Sequence, residues 1–132
     1  MRIMIDTNVL LSALIFKSTK LAKLIEYITE KHSLVLCSYV IEEANVVIRK
    51  KSPKYIAVLD RFLLKISFEM VYTPSDKTIA PKIRDEEDIP VIVSAIASDV
   101  DILITGDKDF ADLPIERPEI LTPSEFISKY WM

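Results

Sequence analysis

The sequence predicts an α/β protein built on a central, mostly parallel five-stranded sheet, and three observations carry that expectation. Short apolar runs alternate with helical patterns along the 132 residues. Runs such as Leu34-Val35-Leu36 and Ile102-Leu103-Ile104 are apolar without alternation, as strands covered on both faces are. The helical segments between them are apolar along one stripe or, in two cases, nearly all round, as helices buried against such a sheet are.

Each element follows in order. Residues 2–5 (RIMI) form a first strand. Val9 to Phe16 is apolar all round and reads as a buried helix, while Thr19 to Glu30 is amphipathic, with Leu21, Leu24, Ile25 and Ile28 on one face. Residues 33–37 (SLVLC) form a second strand. Tyr39 to Lys50 is a helix for which Ser38 is the expected N-cap. Lys54 to Ile66 is another, with Pro53 suited to its first turn. Phe68 to Tyr72 is a third strand, and Asp88 to Ser98 a mostly apolar, buried helix. Residues 101–105 (DILIT) and 119–122 (EILT) are the fourth and fifth strands. Pro123 to Lys129 closes the chain as a helix.

The length is that of one domain, expected to span 1–132, and half of the residues are apolar against 28% charged. That composition excludes a disordered chain, a collagen-like fibre and a disulfide scaffold. Cys37 is the one cysteine, so no internal disulfide forms and a cytoplasmic protein is expected. Asp6 and Asn8 interrupt the apolar N-terminus, and no stretch is long and apolar enough to span a membrane. Seventeen basic and twenty acidic residues give a net charge of −3 and a pI near 5.2. A protein that binds a polyanion by charge alone is normally basic. If this chain meets nucleic acid, something must offset its carboxylates locally, and a metal ion does that. The single glycine, Gly106, excludes a dinucleotide fingerprint and a P-loop.

In open α/β sheets the functional site lies beyond the carboxyl ends of the strands, at the point where the strand order reverses. With the order 3-2-1-4-5, strands one and four flank that point. Asp6 directly follows strand one, where it also suits a helix N-cap. On the helix after strand two, Glu42 projects about 160° from the centre of the apolar face and Glu43 about 100°, so Glu43 edges the stripe and Glu42 faces solvent. Asp88 heads the buried helix on the face of Ile92 and Ala95, beside the loop charges Asp85, Glu86 and Glu87. Asp107 and Asp109 lie just past strand four, where turn chemistry also favours them. Crowded carboxylates repel, and a divalent cation relieves that. Oxygen-only donors with no Cys or His cluster point to Mg²⁺ or Mn²⁺ rather than Zn²⁺. His32, the one histidine, falls in a polar turn and is expected at the surface, which removes His-based catalysis.

The segments MRIMIDTNVLLSAL, SYVIEEANVVI, RDEEDIPVIVSAI and LITGDKDF occur in the order seen in PIN-domain ribonucleases, and ILTPSEFI resembles the way many such domains close. The resemblance covers essentially the whole chain. It implies a three-layer α/β/α sandwich and metal-dependent hydrolysis of RNA phosphodiesters. It carries the four family acids onto Asp6, Glu43, Asp88 and Asp107, with Asp109 as a neighbour able to share the metal. It gives Thr105 a hydroxyl position that orients the cluster and makes Asn8 a supporting polar residue.

The expected activity is therefore that of an endoribonuclease, with Asp6, Asp88, Asp107 and Asp109 on Mg²⁺ or Mn²⁺ and Glu43 acting directly or through water. Arg84, beside the acidic loop, is a candidate phosphate contact. Lys17, Lys20 and Lys23, and the group Arg49, Lys50, Lys51 and Lys54, read first as solvated faces. Short PIN proteins are often the toxin of a toxin–antitoxin pair, so the resemblance also implies a small antitoxin partner and a homodimer. A structure-specific DNA nuclease and a non-catalytic interaction module of the same fold stay open as alternatives.

Overall fold

The computed structural model describes residues 1–15, 19–76, 89–107, 110 and 113–131. The described elements are β1 (Arg2–Ile5), α1 (Thr7–Leu14), α2 (Thr19–Lys31), β2 (Ser33–Cys37), α3 (Ser38–Lys51), a 3₁₀ turn (Pro53–Tyr55), α4 (Ile56–Lys65), β3 (Glu69–Val71), α5 (Ile89–Ala97), β4 (Ile102–Ile104), β5 (Glu119–Leu121) and α6 (Pro123–Tyr130). The strands form one five-stranded sheet in the order β3-β2-β1-β4-β5, with every neighbouring pair parallel. Ile3 sits opposite Leu34 on one side and Ile102 on the other.

Successive strand residues point to opposite faces, yet Ile3 to Ile5, Leu34 to Cys37 and Ile102 to Ile104 are all buried. Both faces of the central strands are therefore covered, which accounts for their unbroken apolar runs. Helices α2, α3, α5 and α6 pack against the strands. The edge strand β3 is more open, with Glu69 and Met70 exposed. From β1 the chain builds outward to β2 and β3, then returns to place β4 and β5 on the other side. That reversal opens a crevice at the carboxyl ends of β1 and β4.

The helix ends follow local chemistry, with two departures from expectation. Helix α1 starts at Thr7, two residues before the apolar run, because the Asp6 side chain caps it. Ser38 does not cap α3. Cys37 occupies the N-cap position without a side-chain bond, and the Ser38 hydroxyl instead accepts the Thr73 N–H at 2.9 Å, satisfying backbone that leaves the sheet after β3. The helix expected from Lys54 to Ile66 divides into the 3₁₀ turn, with Pro53 at its start, and α4. Helix α5 closes with two backbone bonds, Val100 N–H to Ala95 O at 3.3 Å and Asp99 N–H to Ile96 O at 3.1 Å, around Asp99 at φ 53°. Helix α6 carries a full capping box between Thr122 and Glu125, with Pro123 in the first turn.

His32 is half-buried, not at the surface. Its ring sits edge-on to Tyr27 and Phe126, and its Nδ1 lies 3.3 Å from the N-terminal amine. The reason is the C-terminal helix: Phe126 inserts beneath the turn, and Trp131 stacks on Tyr27 at 4.7 Å. Cys37 is a fully buried thiol. Among the described residues no helix is long and apolar enough to cross a membrane.

Candidate active site

A cleft of about 260 Å³ opens where the crevice between β1 and β4 is expected, and its lining includes Asp6, Glu43 and Asp107. Three elements bring these acids together. Asp6 follows β1, and its N–H donates to Ile104 O at 3.2 Å, which continues the parallel pairing by one residue. Asp6 is thereby held beside Thr105. Glu43 projects from the second turn of α3, while Asp107 lies on the loop after β4, past Gly106.

Asp6 is 6% exposed. Its Oδ1 accepts the Val9 N–H at 2.8 Å, capping α1, and its Oδ2 accepts a bond from the Thr105 hydroxyl. Thr105 Oγ1 in turn accepts the Asp107 N–H at 3.0 Å. One buried hydroxyl thus fixes both the first acid and the backbone of the last. Burial pushes the Asp6 carboxyl above its ordinary pKa. The Thr105 and Val9 bonds oppose that shift, and the charges of Asp107 and Glu43 add to it.

Glu43 is half-buried, and its Oε2 accepts the Tyr39 hydroxyl at 2.9 Å, an i, i+4 pair along α3. Glu42 is exposed on another face, beside Thr73 and Pro74. Asn8 lines the cleft from the solvent side. Asp88, Arg84 and Asp109 lie outside the described residues, as do Asp85, Glu86 and Glu87. Val91 and Phe110 form apolar walls.

Three residues carry chemistry that sequence patterning did not assign to the site, and two of them, Thr7 and Lys51, line the cleft. Thr7 is 5% exposed, and its hydroxyl is the one buried side-chain polar atom among the described residues without a hydrogen-bond partner. Tyr39 steadies Glu43. Lys51 reaches the cleft from the last turn of α3. The signal for Tyr39 and Lys51 was present: they stand four before and eight after Glu43, on one slowly drifting helical stripe. For Thr7 no sequence signal exists, because any hydroxyl in a first turn reads as capping chemistry.

The donor set fits a hard divalent cation. The three acids offer oxygen alone, and the buried, mutually repelling carboxylate is relieved by positive charge. Among the described residues no group of three or more such donors is gathered closely enough to hold an ion by itself. Magnesium is ordinarily held by one or two carboxylates, with water completing its shell.

The sequence matches the PIN-domain family model over residues 2–109. The chain belongs to the PIN-domain family. Among solved structures, this PIN domain is similar to a chain in the crystal structure of VapBC2 from Rickettsia felis bound to a DNA fragment from their promoter. The TM-score is 0.73 at 21% identity, covering 92% of this chain and 97% of the other, which shows a shared fold. No curated protein matches the sequence.

Proposed function

We propose that this PIN domain is a Mg²⁺- or Mn²⁺-dependent endoribonuclease and the toxin of a toxin–antitoxin pair. The observation that carries the nuclease reading is Asp6. A carboxylate this buried, with two more acids lining its cleft and its pKa raised, is unfavourable on its own and suited to a cation. Asp6 and Asp107 would hold the ion, joined by Asp88 and Asp109. When bound, the ion supplies an acidified water and positive charge for the phosphoryl oxygens, which offsets the acidity of the chain.

The chain's own groups do the rest. Thr105 keeps Asp6 in one rotamer and ties Asp107 to it. The Tyr39 hydroxyl occupies Glu43 Oε2, leaving Oε1 to accept a proton from water in the cleft. The unpartnered Thr7 hydroxyl is available to a water or a phosphate oxygen. Val91 and Phe110 exclude bulk water from one side, which strengthens each of these interactions.

The toxin reading is supported by the shared fold with a chain of the VapBC2 complex, whose description pairs two proteins on promoter DNA. On that reading this chain takes a small antitoxin partner and forms a homodimer. The deciding experiment incubates the protein with labelled RNA and with DNA of the same sequence, in Mg²⁺, Mn²⁺ or chelator. RNA cleavage that needs metal and is lost in Asp6→Asn is expected. Cleavage of DNA alone overturns the ribonuclease assignment, and no cleavage of either overturns the nuclease one.

A further inference from the structure

The first turn of α3 receives no bond from its own N-cap side chain, since Cys37 makes none there. The leading N–H groups of a helix have no partner within it, and a first turn left uncapped frays. Helix α3 is capped from a distance instead. The Tyr39 N–H donates to Thr73 Oγ1 at 3.2 Å, and the Thr73 N–H donates back to the Ser38 hydroxyl at 2.9 Å. The exchange has the reciprocity of a capping box, with the partner supplied by the segment that leaves β3.

Thr73 also reaches a second helix. Its Oγ1 lies 2.8 Å from Ser94 Oγ, and Ser94 Oγ lies 2.7 Å from the Pro90 carbonyl oxygen in the first turn of α5. Ser94 is buried, which makes these bonds costly to lose. Helices α3 and α5 are two walls of the acidic cleft: α3 gives it Glu43 and Val47, and α5 gives it Val91. One hydroxyl therefore ties two walls of the cleft together from behind. Thr73 itself faces a separate hollow of about 430 Å³, with Ser38, Tyr39 and Glu42.

Tyr39 carries the connection inward. Its N–H is held by Thr73, and its hydroxyl donates to Glu43 Oε2 at 2.9 Å. Resting on the nuclease reading, we infer that Thr73 is a positioning residue for Glu43, acting through Tyr39. Without the Thr73 hydroxyl the first turn of α3 loosens, Tyr39 moves with it, and Glu43 loses its fixed aim into the cleft. Asp6, Thr105 and Asp107 are held by bonds of their own and stay in place. A carboxylate that takes a proton from water at a set distance loses rate when its aim is lost. Substrate and metal, held mainly by other groups, bind as before.

The test is steady-state cleavage of a labelled RNA in saturating Mn²⁺, well below the melting transition of every variant. Thr73→Val, which removes the hydroxyl at nearly constant shape, is expected to lower kcat about tenfold and to leave KM within about twofold. Thr73→Ser, which keeps the hydroxyl, should bring kcat back to within about twofold of the wild type. Ser98→Ala removes a hydroxyl that bonds Ser94 O at 2.5 Å without reaching α3; it should lower the melting temperature and leave kcat unchanged. Tyr39→Phe should lower kcat about as much as Thr73→Val. Adding Thr73→Val to Tyr39→Phe should cost less than about a further twofold, because the path to Glu43 is already cut. Losses that multiply in the double variant overturn the action through Tyr39. An equal loss in Thr73→Ser assigns the effect to methyl packing, and an equal loss in Ser98→Ala assigns it to general loosening; either overturns the positioning role, as does an unchanged kcat in Thr73→Val, while a working nuclease remains. A wild type that cleaves nothing overturns the nuclease reading, and the positioning role with it.

Discussion

At the amino end of the sheet, charges are met by opposite charges; at the carboxyl end, they are met by one another. Arg2, at the start of β1, makes two bonds to Glu69 at the start of β3, 2.7 and 3.1 Å. Its backbone N–H donates to Asp101 at 2.7 Å. Arg117 reaches Asp99 at 2.7 Å and Asp101 at 2.8 Å, and Glu119 accepts from Lys129 and from the Tyr130 hydroxyl. These partners hold acids below their ordinary pKa. For Asp101 the Arg2 N–H leads and Arg117 follows; for Glu119 Lys129 leads and Tyr130 follows. Asp6, five residues from Met1 on the same β1 chain, moves the other way through burial and the nearby acids. One end is arranged to hold the sheet together. The other keeps a cost in the fold that a bound cation would remove.

The largest expected effect breaks the costly end. Asp6→Asn should lower RNA cleavage by at least about a hundredfold while raising the melting temperature of the metal-free protein. Asn can still accept the Val9 N–H, and Thr105 can turn its hydroxyl to accept from the new amide. The gain at pH 7 should be about 1 kcal/mol, since the cleft opens to water and screens the repulsion. Its sign depends on pH. An acid whose folded pKa is raised favours the fold while protonated, and that advantage is lost as pH rises through the folded value. The Asn variant should therefore exceed the wild type at pH 7 and match it near pH 3. Denaturant midpoints at both pH values check this, and equal midpoints at pH 7 would show that Asp6 is not under charge strain.

Next in size is Thr105→Val, which removes the bridge between Asp6 and the Asp107 backbone. Mn²⁺ affinity measured by calorimetry should fall about tenfold, and stability by about 1 kcal/mol, since a buried acceptor and donor lose their partner. Thr7→Val separates function from stability most sharply. A buried hydroxyl with no partner is replaced by a methyl of similar shape, so stability should hold or rise, by up to about 1 kcal/mol. If the hydroxyl serves substrate, cleavage falls; unchanged cleavage would assign Thr7 to packing alone.

The smallest effects belong to the paired end. Lys129→Ala should cost little stability, because the pair is half-exposed and screened by solvent, and should leave cleavage untouched. Depressed acids act opposite to Asp6: their contribution is present above the unfolded carboxylate range and lost as pH falls through the folded value. Lys129→Ala and Arg117→Ala should accordingly flatten the loss of wild-type stability on acidification, while Asp6→Asn steepens it, because its advantage at pH 7 is gone near pH 3. An acid limb unaffected by either cation variant would mean the amino-end pairs contribute nothing to folding.

Parallel pairing and buried central strands were legible in the sequence, because a strand covered on both faces has no polar positions and helices between strands make the crossovers that parallel pairing needs; the strand order came with the family resemblance. The phase of α3 was legible too: one apolar stripe separates Glu43 from Glu42 by angle alone. The same local logic misassigned Ser38. It suited a cap, but the acceptor was claimed by Thr73, 35 residues away, and a hydrogen bond across that separation leaves no mark on spacing. His32 was misplaced for a similar reason, since the aromatic cluster around it is completed by Phe126 from the far end of the chain. By itself, then, the sequence determined the elements, their order along the chain and the placing of Asp6, Glu43 and Asp107 toward the crevice, because those follow from periodicity and from the residues bordering each strand. Only the tertiary structure decided that Thr105 clamps Asp6 from 99 residues away, that the Thr7 hydroxyl goes unpaired, and that Lys51 shares a groove with α1. Each depends on where two separate elements meet, and that is set by packing rather than by any local run of residues.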